Sequence, residues 1–91
     1  MDLTGKTAII TAGASGIGRV IAQRFVEQGA DICVCDIDDN ALAELKAALP
    51  SAIVTKADVS KSADVAALYD TFLARHSRLD ILVNNAGVSG P

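Results

Sequence analysis

The segment Thr11-Ala12-Gly13-Ala14-Ser15-Gly16-Ile17-Gly18 follows the apolar run Thr7-Ala8-Ile9-Ile10 and precedes an amphipathic stretch, so it joins a strand to a helix. Glycines at such a junction permit a tight turn, and an approach between main chain and ligand that a Cβ would block. The helix opening near Ile17 turns unpaired N–H groups and the positive end of its dipole toward the same place. A loop of this kind suits the pyrophosphate of a dinucleotide, and Gly13, Ala14, Ser15, Gly16, Ile17 and Gly18 are its candidate residues.

Asp36 closes the next apolar run, 18 residues beyond Gly18. A strand-end carboxylate reaches an adenosine ribose at a spacing of about 20. Its charge would accept hydrogen bonds from the 2′ and 3′ hydroxyls of NAD and repel the 2′-phosphate of NADP. The neighbouring Ser15 and Ile37 supply no basic side chain to offset that repulsion. The pattern predicts NAD over NADP. Asp36 also begins the acidic run Asp36-Ile37-Asp38-Asp39, which suits a helix N-terminus, so a capping role stands beside the ribose role.

Asp58-Val59 and Asn84-Asn85-Ala86-Gly87 each follow a further apolar run, and open α/β sheets bind ligands at such carboxyl strand ends. Asp58 and the Val59 amide could hold an adenine whose ring Ile37 flanks. Equally, Asp before Val-Ser makes an ordinary strand-to-helix turn. Tandem asparagines tie adjacent turns together through their amides, which gives Asn84 a structural reading.

The elements that must position these residues alternate along the chain. Strands are expected at Thr7 to Thr11, Asp31 to Cys35, Ala52 to Ala57 and Leu79 to Asn84. The first helix carries Ile17, Ile21 and Phe25, with Val20 beside them, and stops at Gly29. The second carries Leu42, Leu45 and Leu49 before Pro50; the third carries Val65, Leu68 and Phe72, with Ser60 or Ser62 as its cap. The βαβαβαβ order with right-handed crossovers predicts an α/β, doubly wound parallel sheet of Rossmann type, in the order 3-2-1-4 and cut short after its fourth strand. That strand, Asp80-Ile81-Leu82-Val83-Asn84, is an edge without protective prolines, lysines or bulges, which implies a pairing partner.

Of the 91 residues, 51% are hydrophobic and only 3% aromatic, so Ala, Val, Ile and Leu must build the core. One domain at most fits this length, and its stability is marginal unless something else covers it. A net charge of −3 gives no electrostatic case for nucleic acid or an anionic membrane. There is no apolar run of the roughly 18 residues a membrane helix needs and no secretory-signal pattern, so a cytoplasmic protein is expected. Cys33 and Cys35 flank Val34, so a strand points both to one face as small buried groups, and no metal site is expected.

Together, Thr11 to Gly18, Asp36, Asp58-Val59 and Leu79 to Gly87 resemble the N-terminal half of a classical short-chain dehydrogenase/reductase, over nearly all of the chain. The resemblance implies that residues 1–91 are the N-terminal part of an NAD-binding Rossmann domain. Gly13 to Gly18 would bind the pyrophosphate, Asp36 would select NAD, and Asp58 and Val59 would hold adenine. Asn85, Ala86 and Gly87 would border the ribose and nicotinamide, while Asn84 braces the central strand. It further implies an intact enzyme that exchanges hydride with a small alcohol or carbonyl substrate and assembles as a dimer or tetramer.

Two departures from the family pattern stand out. Ala12 occupies a position that is normally glycine; alanine is tolerable there with negative φ and strained otherwise, with slightly altered cofactor affinity expected. The family's catalytic serine, and its tyrosine with a lysine four residues later, have no counterpart here: Tyr69 is followed at that spacing by Leu73 and reads as a core or interface residue. His76, near the end of the third helix, suits the helix dipole rather than catalysis. No catalytic residue is therefore assigned, and these residues alone are expected to be inactive. The alternatives are a self-contained, non-catalytic dinucleotide-binding or interaction module, and a methyltransferase-like domain, which has no reason to carry Asn-Asn-Ala-Gly.

Overall fold

The computed structural model describes residues 2–12, 14 and 16–85. Strands and helices alternate along them: β1 (Thr7–Thr11), α1 (Gly16–Glu27), β2 (Asp31–Asp36), α2 (Asp39–Ala48), β3 (Ile53–Lys56), α3 (Ser62–Leu73) and β4 (Ile81–Val83). The strands form one parallel sheet in the order β3-β2-β1-β4, the arrangement the sequence predicts.

Strand alternation divides the core into two layers. Ala8 and Ile10 of β1, with Ile32 and Val34 of β2, meet Ala22 of α1 and Leu42 and Leu45 of α2. Ile9, Cys33 and Cys35 point the other way, onto Leu68 and Phe72 of α3. Helices therefore cover both faces, as parallel crossovers require. The two cysteines share a face as expected. Burial pushes the Cys33 thiol up to about 11 and raises Cys35 as well, so both are protonated, unreactive core groups at neutral pH.

Several boundaries differ from the sequence expectation. β2 runs one residue further and takes in Asp36, because Asp36 still pairs with Lys56 of β3. β3 and β4 are shorter than the expected Ala52 to Ala57 and Leu79 to Asn84, and β4 pairs with β1 only opposite Ala8, Ile9 and Ile10. The stripe of α1 is also rotated: Ile17 and Val20 are 74% and 56% exposed, while Gly18 and Ala22 are buried. Small residues let the helix axis approach the strands, and Ile21, Phe25 and Val26 then flank the contact. Neither serine caps α3: Lys61 holds the N-cap position without a side-chain hydrogen bond, and the helix ends at Leu73, before His76. His76 instead packs its ring against Phe72 in a tilted arrangement, with centroids 5.1 Å apart and 38° between the planes.

Loop closures at the amino edge hold the sheet in register. The Asp80 carboxylate accepts from the Thr7 amide at 2.9 Å and from the Arg78 guanidinium, while the Asp80 amide donates back to the Thr7 carbonyl at 3.1 Å. This reciprocal pair fastens the start of β4 to the start of β1. At the end of α1, Gly29 has φ +93, and the bonds Gly29 N to Val26 O and Ala30 N to Phe25 O close the helix in a Schellman motif.

Two outcomes follow for stability. A Cβ at residue 29 would lie 2.7 Å from Thr4 Oγ1 and 3.1 Å from Thr4 Cα in a left-handed conformation. Gly29→Ala should therefore lower unfolding free energy by about 1–3 kcal/mol in urea titrations; an unchanged midpoint would remove the cap from the account. The Thr7 amide and Arg78 hold the Asp80 carboxyl below its ordinary value of 3.8. A lowered folded pKa contributes stability above that ordinary value, lost as pH falls through the folded one. The wild-type advantage over Asp80→Asn should accordingly be full at pH 7 and shrink below about pH 4, and equal advantages at pH 7 and pH 3 would contradict the bond's role.

Candidate functional site

At the carboxyl edge, the ends of β1, β2 and β4 converge on the glycine-rich segment. Asp36, half-buried at the end of β2, reaches across to it: Oδ2 accepts from the Ala14 amide at 3.2 Å. Oδ1 accepts from the amides of Ile37 at 2.7 Å and Asp38 at 3.2 Å. Asp36 is thus not the cap of α2. That role belongs to Asp38, whose Oδ1 accepts from the Ala41 amide at 3.1 Å. A carboxylate accepts about four hydrogen bonds, so the Asp36 oxygens retain capacity for a hydroxyl partner.

From the other side, the asparagines after β4 hold the end of β1. Asn85 Nδ2 donates to the Ala12 carbonyl at 3.2 Å, and Thr11 Oγ1 lies 3.2 Å from Asn84 Oδ1 and 3.3 Å from the Val83 carbonyl. The bracing role expected of Asn84 is realised, and Asn85 shares it. Ala12 itself has φ +51, the left-handed conformation in which an alanine is strained. The Ala14 methyl is fully buried against the α1 and α2 side of the sheet.

The start of α1 has the character of an anion site. Helices α2 and α3 carry carboxylates in their first turns, Asp39 and Asp64; α1 carries none. Its first amides and dipole are therefore not offset by an acid of its own first turn. Gly16 has φ +59, and a Cβ built on it would meet no atom of the described residues within 4 Å, so the helix start is open on that side. Ile17 stands exposed beside it, and Ile37, 65% exposed, stands at the end of β2. These features fit a dinucleotide whose pyrophosphate lies over α1 and whose ribose faces Asp36.

Asp58 forms the strand-to-helix turn that the sequence allowed. Its Oδ1 accepts from the Ser60 hydroxyl at 2.6 Å and the Ser60 amide at 2.9 Å, which together hold its carboxyl below the usual value. Its own amide donates to Asp64 Oδ2 at 2.8 Å. Val59, beside it, lines a cavity of about 290 Å³ with Ile9, Thr11, Tyr69, Leu82 and Asn84 on the α3 side of the sheet. Tyr69 packs at the border of the core there.

The structure thus brings Ala14, Gly16, Ile17, Asp36, Ile37 and Asn85 to one edge, buries Gly18 within the first turn of α1, and places Asp58 and Val59 in the adjoining turn. Gly13, Ser15, Ala86 and Gly87 lie outside the described residues. Sequence reasoning missed Asp64 as the acceptor for the Asp58 amide, and missed an ion pair between Lys56 and Asp39 at 3.0 Å. Only the pairing of β2 with β3 makes the second visible. Among the described residues no group of three or more His, Cys, Asp or Glu side chains could hold a metal, and no helix is long and apolar enough to cross a membrane.

Comparison with known proteins gives concordant results. A profile of the family described as short chain dehydrogenase matches residues 6–91. Momilactone A synthase of Oryza sativa subsp. japonica is 48% identical over 91 residues, covering 98% of this chain and 33% of that protein. The structure of 3-ketoacyl-(acyl-carrier-protein) reductase from Brucella melitensis complexed with NADH superposes with a TM-score of 0.90 at 39% identity, covering 96% of this chain and 36% of that one. The RhlG/NADP complex of Pseudomonas aeruginosa superposes with a TM-score of 0.87 at 38% identity, covering 98% and 36%. The chain spans about a third of the length of these proteins.

The left-handed Ala12 carries its own consequence. Ala12→Gly relieves a cost of about 1–2 kcal/mol, partly offset by the greater freedom of glycine in the unfolded chain. With NAD present the variant should melt a few degrees higher than wild type, and superimposable melting curves would show that position 12 carries no strain.

Proposed function

The chain belongs to the short-chain dehydrogenase family, and on that premise we propose that it forms the cofactor-binding part of an NAD-dependent oxidoreductase acting on an alcohol or carbonyl. The observation that carries the choice of NAD is Asp36, a carboxylate at the end of β2 that touches the glycine-rich segment through Ala14 and presents no basic neighbour at Ile37. The family does not make that choice by itself: one structural neighbour was solved with NADH, another with NADP.

In this reading the amides at the start of α1, within Gly13 to Gly18, bind the pyrophosphate, and Asp36 accepts from the ribose hydroxyls. Asp58 and Val59 hold the adenine that Ile37 flanks, and Asn85, Ala86 and Gly87 border the nicotinamide side. The nicotinamide, when bound, would supply the hydride acceptor for an alcohol or, in its reduced form, the hydride donor for a carbonyl. These residues contribute affinity and orientation. Proton transfer belongs to a serine and a tyrosine–lysine pair that they do not include, since Leu73 stands where a lysine would follow Tyr69. Relatives about three times as long leave ample chain for that machinery. The intact enzyme is then a cytoplasmic homo-oligomer with a small-molecule substrate.

Isothermal titration of the full-length protein tests this directly. NAD should bind more tightly than NADP, and Asp36→Ala should weaken NAD about tenfold or more, as expected for loss of charge-assisted hydrogen bonds. Tighter binding of NADP by wild type would overturn the choice of cofactor, and binding of neither would overturn the site.

A further inference from the structure

The adenosine edge holds a second charged pair that the reading above does not use. Lys56 of β3 is the register partner of Asp36 of β2, and the strands remain bonded there, with the Ala57 amide donating to the Asp36 carbonyl at 3.1 Å. Paired residues of neighbouring parallel strands project on the same face about 5 Å apart, so a flexible lysine stem rises beside the carboxylate that faces the ribose. Its ammonium is turned onto Asp39, in the first turn of α2, with Nζ 3.0 Å from Oδ2. The two side chains are 62% and 72% exposed, and an exposed pair of this kind is worth only about 0–1 kcal/mol. The ammonium is therefore held in place loosely.

A ribose 2′-phosphate would enter this same corner, between the end of β2 and the start of α2. Among the described residues it would face Lys56 on the neighbouring strand, and Asp36 and Asp39, which disfavour it in different ways. Asp36 repels it directly, whereas Asp39 occupies the cation. We propose that Lys56 is a latent 2′-phosphate ligand that Asp39 holds away from the adenosine edge, so that Asp36 and Asp39 together, and not Asp36 alone, exclude NADP. The inference rests on the dinucleotide site proposed above and adds to it two residues that determine selectivity.

The test is isothermal titration of NAD and NADP into the full-length protein and four charge variants. Asparagine keeps an acceptor oxygen at each acidic position, so Asp36→Asn retains a partner for the loop amides and Asp39→Asn leaves the Asp38 cap intact. Asp36/Asp39→Asn should bind NADP more tightly than Asp36→Asn alone, by up to about fivefold, the gain fading in high salt. Adding Lys56→Met to the double variant should abolish that gain. Asp39→Asn by itself should leave NAD affinity within about twofold of wild type, because the ribose hydroxyls do not use Lys56. A double variant no better for NADP than Asp36→Asn, or a gain that survives Lys56→Met, overturns the inference while leaving the NAD site standing. Failure of wild type to bind either cofactor overturns both.

Discussion

The turn between β1 and α1 has to carry the chain from the end of a central strand to the start of a covering helix, and the carboxyl edge is organised around that constraint. Groups outside the turn impose its shape. Asp36 does so from β2 through the Ala14 amide, and Asn85 does so from beyond β4 through the Ala12 carbonyl. Burial of the Ala14 methyl supplies a third anchor on the core side. Each comes from a different part of the chain, and the sheet order brings β1, β2 and β4 side by side beneath them. A left-handed alanine is affordable in that setting because the surrounding contacts over-determine it.

The sheet order makes the three anchors converge. With β1 central, its two neighbours are β2 and β4, and their carboxyl ends deliver Asp36 and the asparagine pair to opposite sides of the same turn. The opposite edge is fastened independently, by Asp80 and Thr7. Helix α1 then has to start directly above the end of β1, and the buried Gly18 and Ala22 let it lie close to the strands. Replacing those contacts with larger side chains would lift the helix and move its first amides away from any phosphate bound there. Close packing and ligand geometry are, at this point of the fold, one requirement.

Features that depend on short-range pattern were legible in the sequence. The glycine-rich junction, the sheet order, the cap at Gly29 and the bracing role of Asn84 each follow from a few neighbouring residues and the rules of parallel sheets. What was not legible depends on contacts between distant segments. The apolar spacing of Ile17, Ile21 and Phe25 looks like one buried stripe, yet Ile17 is exposed because the small Gly18 and Ala22 set which side of α1 meets the sheet. Two serines near the start of α3 look like caps, yet the Ser60 hydroxyl goes to Asp58. The acidic run from Asp36 to Asp39 left a capping role open for Asp36, and only the geometry gives Asp36 to the loop and the cap to Asp38.

That division explains how one acidic run serves two ends. In Asp36-Ile37-Asp38-Asp39, the first acid faces the loop, the third residue caps α2, and the last pairs with Lys56 across to β3. A capping acid alone would satisfy the helix, and a strand-end acid alone would satisfy a ribose. Spacing them by one exposed isoleucine lets both operate without sharing a proton donor, and places an apolar side chain between them at the edge where a planar base would stack. The run consequently gathers three carboxylates between the end of β2 and the first turn of α2. Lys56, the register partner of Asp36 and the ion-pair partner of Asp39, brings the end of β3 into the same cluster of charges.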